Sequence, residues 1–160
     1  MSFYENSKRI LSVAATTDAE VIAQNKVIAT GIEIPKAVRH NGGCSLIKSI
    51  TILDEDNTSV ECDVIFSSIS TVIAQDEGKA VGEDVDDLDT ALQSALGWVQ
   101  FVAANHTDLV DARLHTKTGI DLAIQADSGT RSIYMHIVNR GSSVTFGKTG
   151  AIKVRIGVEY

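Results

Sequence analysis

The sequence predicts a mainly β protein, an antiparallel β-sandwich or jelly-roll-like domain with one short helix and an N-terminal arm. Several segments alternate apolar and polar residues, which is the period of a half-buried strand. Glycine, asparagine, aspartate and serine cluster between these segments, as they do in turns. Aromatic residues make up only 5% of the chain, so the core must consist of aliphatic side chains, and this favours sheet packing.

The N-terminal end differs from the rest of the chain. We divide the 160 residues into an arm, residues 1–18, and one sandwich domain, residues 19–160. The start of the arm has no alternation and no helix cap, so it is either frayed or ordered only against a neighbour. If the arm is ordered only against a neighbour, deletion of residues 1–12 should leave the melting temperature nearly unchanged and weaken attachment to an assembly. Its candidate partner-binding residues are Phe3, Tyr4, Lys8, Arg9, Ile10 and Leu11.

The predicted strands fall into two groups. Residues 60–66, 120–126 and 152–158 carry apolar side chains on one parity and mostly polar ones on the other. Each of these segments therefore predicts a strand with one buried and one exposed face. Residues 45–53 and 133–138 are apolar on both parities, so we predict central strands that are covered on both sides.

One segment has the helical period instead. Its apolar positions are Leu88, Ala91, Leu92, Ala95 and Leu96. Aspartates in residues 84–87 stand where a carboxylate caps a helix and complements its dipole. We predict one short helix near residues 86–96, ended by Gly97 and followed by a strand over residues 98–103. In that strand we expect Trp98 to anchor the core rather than to form a sugar-stacking platform.

Charge and hydropathy restrict the partners. The formal net charge of −7 argues against broad contact with nucleic-acid phosphates. No apolar stretch is long enough to span a bilayer and no export signal is visible, so we expect synthesis in the cytoplasm. Residues 75–90 hold seven acids and one lysine, whereas residues 110–160 hold seven basic residues and four acids. These are either two solvated faces or charges that orient neighbouring copies in an assembly.

No group of residues has the spacing of a catalytic or metal site. The four histidines stand far apart, and we interpret His136, within a predicted strand, as a core or interface residue. Residues 54–58 resemble the start of a calcium loop, but Ser59 and Ile65 replace the glycine and glutamate it needs, which favours an acidic hairpin turn. We expect no enzyme activity, no cofactor and no small-molecule substrate. Weak binding of a divalent ion by residues 83–89 stays open.

The two cysteines are predicted to be unpaired. If Leu53 faces Val60 across the acidic turn, Cys62 faces Thr51, and Cys44 lies about 23 Å further along the strand. A disulfide needs Cα atoms within about 7 Å. We expect Cys62 to be a small core residue.

Six short segments together resemble a family of tailed-bacteriophage virion structural proteins, small β-rich subunits found with capsid genes. They are IPKAVR at residues 34–39, GG at 42–43, IKSITILD at 47–54, LAI at 122–124, IYMHIVNRG at 133–141 and GAIKVRIG at 150–157. The resemblance extends from about residue 28 to residue 158 and leaves out the first 20 residues. It implies a sandwich fold.

The resemblance also implies a function. It is that of a non-enzymatic capsid cement or decoration subunit, which binds and stabilises the phage head at the virion surface. The implied partners are the major capsid protein and copies of the chain itself, as a homotrimer at a local threefold axis. Two alternatives stay open: a tail or neck structural protein, and a host-surface or carbohydrate-binding module on a similar sandwich. Binding to capsid shells or to glycans would distinguish them.

Overall fold

The computed structural model describes residues 7–15, 17, 21–58, 60–70, 78–82, 91–147 and 150–160. Within them the strands are β1 (Lys8–Ala15), β2 (Val21–Ile22), β3 (Val27–Ile34), β4 (Cys44–Asp54), β5 (Cys62–Ser67), β6 (Ala95–Phe101), β7 (His106–Asp108), β8 (Arg113–Gln125), β9 (Ile133–Asn139), β10 (Val144–Thr145) and β11 (Ile152–Glu159). A 3-10 turn, Ala103–Asn105, lies between β6 and β7.

Two antiparallel sheets form a sandwich. The first has the strand order β1-β11-β4-β8-β7 and the second the order β3-β9-β5-β6, while β10 and β2 form a small ribbon. The eight long strands pair from the outside inwards along the chain: β1 with β11, β3 with β9, β4 with β8 and β5 with β6. This pairing wraps one long folded hairpin into two sheets, which is the jelly-roll arrangement. The predicted fold class is confirmed.

The inner faces of the two sheets meet in one aliphatic core. Alternation along β11 shows why the sequence folds this way, because Ile152, Val154, Ile156 and Val158 are at most 1% exposed while Lys153 and Arg155 face outwards. Each fully buried side chain of this size contributes roughly 1.5–3 kcal/mol. The largest buried side chains of the core are Phe66, Phe101, Phe146, Ile22, Ile28, Ile34, Ile47, Ile50, Ile124, Ile133 and Met135.

Residues 8–15 are not an arm, contrary to the prediction. They form β1, which pairs with β11 along its whole length, from Lys8 opposite Glu159 to Ala15 opposite Ile152. Leu11 packs against the core. The sequence pattern did not indicate this strand, because its outward-facing residues include the apolar Ile10 and the alternation of apolar and polar residues is lost. Residues 1–6, 16 and 18 of the predicted arm lie outside the described residues.

The predicted helix ends earlier than expected. Residues 83–90 lie outside the described part of the chain, and Ala91 and Leu92 are helical. Ala95 already begins β6, where it pairs with Ser67. Pairing with β5 therefore places Ala95 and Leu96 in a strand, although their spacing in the sequence is helical. The strand itself is displaced from the predicted residues 98–103 to Ala95–Phe101.

The acidic turn connects the two sheets instead of closing a hairpin. The carboxylate of Asp54 accepts hydrogen bonds from the amides of Asp56 and Thr58 and from the Thr58 hydroxyl, at 3.0, 2.8 and 2.8 Å. Because β4 and β5 belong to different sheets, Cys62 faces Phe101 and Asn139 rather than Thr51. The predicted register was wrong.

The prediction of two unpaired cysteines is confirmed. Both are free, with Cys44 exposed and Cys62 buried. Cys62 belongs to the core, as expected, and burial raises the pKa of its thiol. The thiol of Cys62 is therefore held in its neutral, unreactive form.

Candidate functional site

The two central strands differ in how they are covered. In β9 six of the seven residues are buried, so the prediction of a strand covered on both sides is right there. β4 is also central, but only its inward-facing side is buried, with Ile47, Ile50 and Ile52, and the inward parity changes after Ile47, where the register shifts. On the outward-facing side Leu46 is 37% exposed, and Thr51 and Leu53 are partly exposed. For β4 the prediction was wrong, because one side of its sheet carries no further layer among the described residues.

The open side of the first sheet, which we call the outer face, is built from four rows of paired residues. Paired residues stand side by side on a sheet, so each row crosses β1, β11, β4 and β8 in that order. The rows are Ala14, Lys153, Leu53 and Leu114; Ser12, Arg155, Thr51 and Thr116; Ile10, Gly157, Ser49 and Thr118; and Lys8, Glu159, Leu46 and Ala123.

The middle of the outer face is made of apolar and hydroxyl side chains. Ile10 is 75% exposed, and Thr51 and Thr116 contact each other through their hydroxyls at 3.3 Å. A shallow cavity of about 320 Å³ lies over the first two rows, with Leu53 and Leu114 in its lining. Small side chains allow another surface to approach closely, and exposed aliphatic ones gain free energy when such a surface excludes water.

The charges on the outer face are sparse and mostly positive. In the four rows Lys8, Lys153 and Arg155 are cations and Glu159 is the one acid, although the whole chain has a net charge of −7. Between the third and fourth rows, where the register shifts, Lys48 and Asp121 form an exposed ion pair. Lys153 forms an ion pair with Glu55 at the rim. Arg155 has no ion-pair partner among the described residues. The outer face therefore offers a guanidinium, beside apolar positions, to an acceptor on another molecule.

The candidate residues of the predicted arm do not form one group. Lys8 and Ile10 lie on the outer face, whereas Leu11 packs inwards against the core. Arg9 lies at the rim, where its guanidinium stands 5.6 Å from the centre of the Tyr160 ring. Phe3 and Tyr4 lie outside the described residues. The other outer-face residues were missed, because β4 looked like a fully covered strand.

His136 is a core residue, as its position in a strand indicated. Its side chain is fully buried, and the Gly31 amide donates to Nδ1 at 3.1 Å. Nδ1 therefore carries no proton, and Nε2–H donates to the Ser67 hydroxyl at 2.8 Å, which donates in turn to the Ile69 carbonyl at 2.6 Å. Burial lowers the pKa of His136 to about 4. This serine–histidine contact is structural, since the hydroxyl proton is already committed to a carbonyl and the pair is closed to solvent.

A second histidine contact joins two strands of the first sheet. His106 on β7 faces His115 on β8, with ring centres 5.5 Å apart. His115 is buried, neither of its ring nitrogens has a hydrogen-bond partner in the described structure, and burial lowers its pKa. No third ligand joins this pair: among the described residues no group of three His, Cys, Asp or Glu could hold a metal ion.

Trp98 is 59% exposed, so the prediction of a core anchor was wrong. The inner parity of β6 is taken by the buried Val99 and Phe101, which turns Trp98 outwards together with Gln100. A groove of about 660 Å³ runs beside it, between β6 and β8, with Gln100 and Asn105 in its lining. An exposed aromatic ring beside amide groups is a surface on which a sugar could stack.

Comparison with known protein families and with curated proteins found no match for this chain. In the described part of the chain no helix is long and apolar enough to cross a membrane. The outer face, the Trp98 groove and the fold are therefore the observations from which a function can be inferred.

Proposed function

We propose that this protein is a non-enzymatic virion structural subunit that attaches to the phage capsid through its outer face. The observation that carries the proposal is the uncovered parity of β4, in the middle of a sheet whose other side is packed. Open apolar surface of this kind marks an interaction site in many proteins. The jelly roll occurs in viral capsid proteins, although the fold alone does not define a function. The resemblance to phage virion subunits supports the choice of the capsid.

The chemistry of the outer face defines the surface that would fit it. Ile10, Leu53 and Leu114 require an apolar counterpart, and the small residues between them require one that is flat. Arg155 requires a carboxylate, and Lys8 a second one near the edge. The major capsid protein would therefore present an apolar patch with acids at its border, an arrangement that fixes orientation as well as affinity.

In this proposal the subunit acts as a homotrimer at a local threefold axis of the capsid. Closed symmetry would satisfy the same interface on every copy. The opposite charges of residues 75–90 and 110–160 support contacts between copies. If the protein is instead a tail or neck subunit, the same outer face would bind a tail or neck structure rather than the capsid. Sedimentation with purified heads and with purified tails distinguishes the two.

A pair of exposed aliphatic residues provides the test. Ile10→Asp places a charge on the outer face, and Val110→Asp places one on a loop residue that is 82% exposed. Burial of an isoleucine is worth roughly 1.5–3 kcal/mol, so Ile10→Asp is expected to weaken co-sedimentation with capsid shells by about tenfold or more. Val110→Asp is expected to sediment like the wild type. The proposal fails if the wild type does not sediment with shells, or if both variants bind equally well.

A second candidate function is carbohydrate binding at the Trp98 groove. The exposure of Trp98 favours it, together with the amides of Gln100 and Asn105. Here Trp98→Ala would abolish binding on a glycan array and leave capsid sedimentation unchanged. Glycan binding that depends on Trp98, in a protein that does not sediment with shells, would replace the capsid proposal.

A further inference from the structure

A second concave surface lies away from the outer face, at the end of the sandwich where β1 begins and β11 ends. It is a cleft of about 270 Å³. Its lining residues are Ser7, Arg9, Lys36, Val38, Arg39, Arg131 and Tyr160. Four of these seven residues are basic and none is acidic. Because the chain has 14 basic residues against 21 acids, this concentration of cations is unusual for the molecule.

Tyr160 organises one wall of the cleft. Its amide donates to the Ser7 carbonyl at 3.3 Å, and its hydroxyl donates to the Lys36 carbonyl. The guanidinium of Arg9 lies over its ring. The ring thus links the start of β1 to the loop after β3, and it places Arg9 and Lys36 on the same cleft.

The opposite wall comes from the loop before β9. The Val38 amide donates to the Arg131 carbonyl at 3.2 Å, which joins this loop to the one after β3. The Arg131 guanidinium donates to the Arg39 carbonyl at 3.4 Å. Main-chain contacts therefore fix the positions from which these side chains reach the cleft, and the basic groups come from three separate parts of the sequence.

The electrostatics of the cleft favour a compact anion. Arg9 and Lys36 are exposed, Arg131 is half-buried, and none of the three has a carboxylate partner in the described structure. At physiological ionic strength charges interact over about 8 Å, so a small anion in the cleft responds to these cations rather than to the negative chain as a whole. An extended polyanion would also interact with the rest of the chain, whose net charge is −7, and would be repelled by it.

We propose that this cleft binds a tetrahedral oxyanion, a phosphate or sulfate group. Guanidinium groups donate paired hydrogen bonds to such oxygens, and Lys36 adds a point charge. Three or more cations match the three or four acceptor oxygens of such a group better than the two oxygens of a carboxylate. The volume is below the roughly 300–1,000 Å³ of sites for larger organic ligands. The group is either free or the ester substituent of a saccharide.

Isothermal titration at constant ionic strength tests the proposal, with inorganic phosphate, a sulfated disaccharide and an aspartate hexapeptide as separate probes. Saturable binding of phosphate is expected, and Arg131→Gln and Arg9→Gln should each weaken it by about tenfold. Arg155→Gln removes the same charge from the outer face and is the matched control, so it should leave the affinity unchanged. If the disaccharide binds more tightly than phosphate and its binding also depends on Arg131, the cleft recognises the anionic group as part of a sugar. If phosphate and the disaccharide bind with equal affinity, the sugar makes no contribution and the cleft recognises the free ion.

Three results would overturn the proposal. One is the absence of saturable binding of phosphate and of the disaccharide to the folded wild-type protein. Another is an equal loss of affinity in Arg131→Gln, Arg9→Gln and Arg155→Gln, which would indicate non-specific attraction. The third is binding of the aspartate peptide alone, which would assign the cleft to the carboxylates of a protein partner. Circular dichroism of each variant establishes that it is folded, and the two cleft variants are independent tests.

Discussion

At the residue scale, the buried His136 in the second sheet makes the stability of the protein depend on pH. Its pKa is about 4 in the folded protein, below the ordinary value of about 6.5. As the pH falls from 6.5 to 4, the unfolded chain takes up a proton that the folded chain refuses, so stability is lost over this range. The full difference corresponds to about 3 kcal/mol at most. Burial of His115 acts in the same direction.

The pH dependence can be assigned to this residue by substitution. Urea unfolding at pH 7 and at pH 4.5 should show a smaller loss of stability in His136→Gln than in the wild type, because the glutamine does not titrate. His40 is exposed, so His40→Gln should retain the loss of the wild type. An undiminished loss in His136→Gln would show that other groups cause the acid sensitivity.

Asp54 determines the passage from one sheet to the other. Asp54→Ala removes the carboxylate that accepts from the partly buried Asp56 and Thr58 amides, and a hydrogen bond to a charged group contributes about 1.5–3 kcal/mol. We expect the free energy of unfolding to fall by about 3 kcal/mol in urea titrations. Asp127 is exposed, so Asp127→Ala should change stability by less than about 0.5 kcal/mol. Equal effects of the two substitutions would contradict the role given to Asp54.

At the element scale, the strands that were predicted well are those with one clear polar side. β8 and β11 follow their alternation, and β9 follows its continuous apolar run. β5 is instead buried on both sides, with Asp63 7% and Ser67 0% exposed, so the exposed face predicted for residues 60–66 was wrong. β1 was missed because its outward side includes the apolar Ile10. β4 was misjudged because Leu46 and Leu53 face outwards and because the register shift after Ile47 places inward-facing isoleucines on both parities. An outward side with few charged residues lacks the polar pattern by which strands are recognised, so the candidate site was the part of the fold that the sequence predicted least well.

Because β1 is part of the first sheet, we now expect the removal of residues 1–12, or of a core contact within them, to lower the stability of the protein, contrary to the expectation for a free N-terminal arm. Leu11 faces the core, so Leu11→Asp should lower the free energy of unfolding by about 2 kcal/mol or more. Ser12 is exposed on the same strand, and Ser12→Asp should leave stability nearly unchanged. Removal of residues 1–12 should lower the melting temperature, because it takes away the pairing of Lys8 to Ser12 with β11. An unchanged melting temperature in Leu11→Asp and in the truncation would mean that β1 is not part of the stable sheet.

At the scale of the whole molecule, the two sheets differ in their outer surfaces. On the second sheet Ile65 and Ile69 pack with Val27 and Val138 in a small cluster of their own, so the connection after β5 covers part of that side. The first sheet has no comparable cover among the described residues. The positions of most strands along the chain could be expected from alternation and turns. Which side of a sheet stays open depends on contacts between distant residues, such as those of Ile69 with Val27 and Val138, and no local pattern encodes these contacts.

The central claim, that the outer face is the attachment surface, is tested most directly by hydroxyl-radical footprinting of the protein free and bound to capsid shells. Side chains buried by attachment become less reactive in the complex. We predict protection of Ile10, Leu53 and Leu114, with no change at Val110 and Trp98. Protection of Trp98, with Ile10, Leu53 and Leu114 as reactive in the complex as in the free protein, would contradict the account.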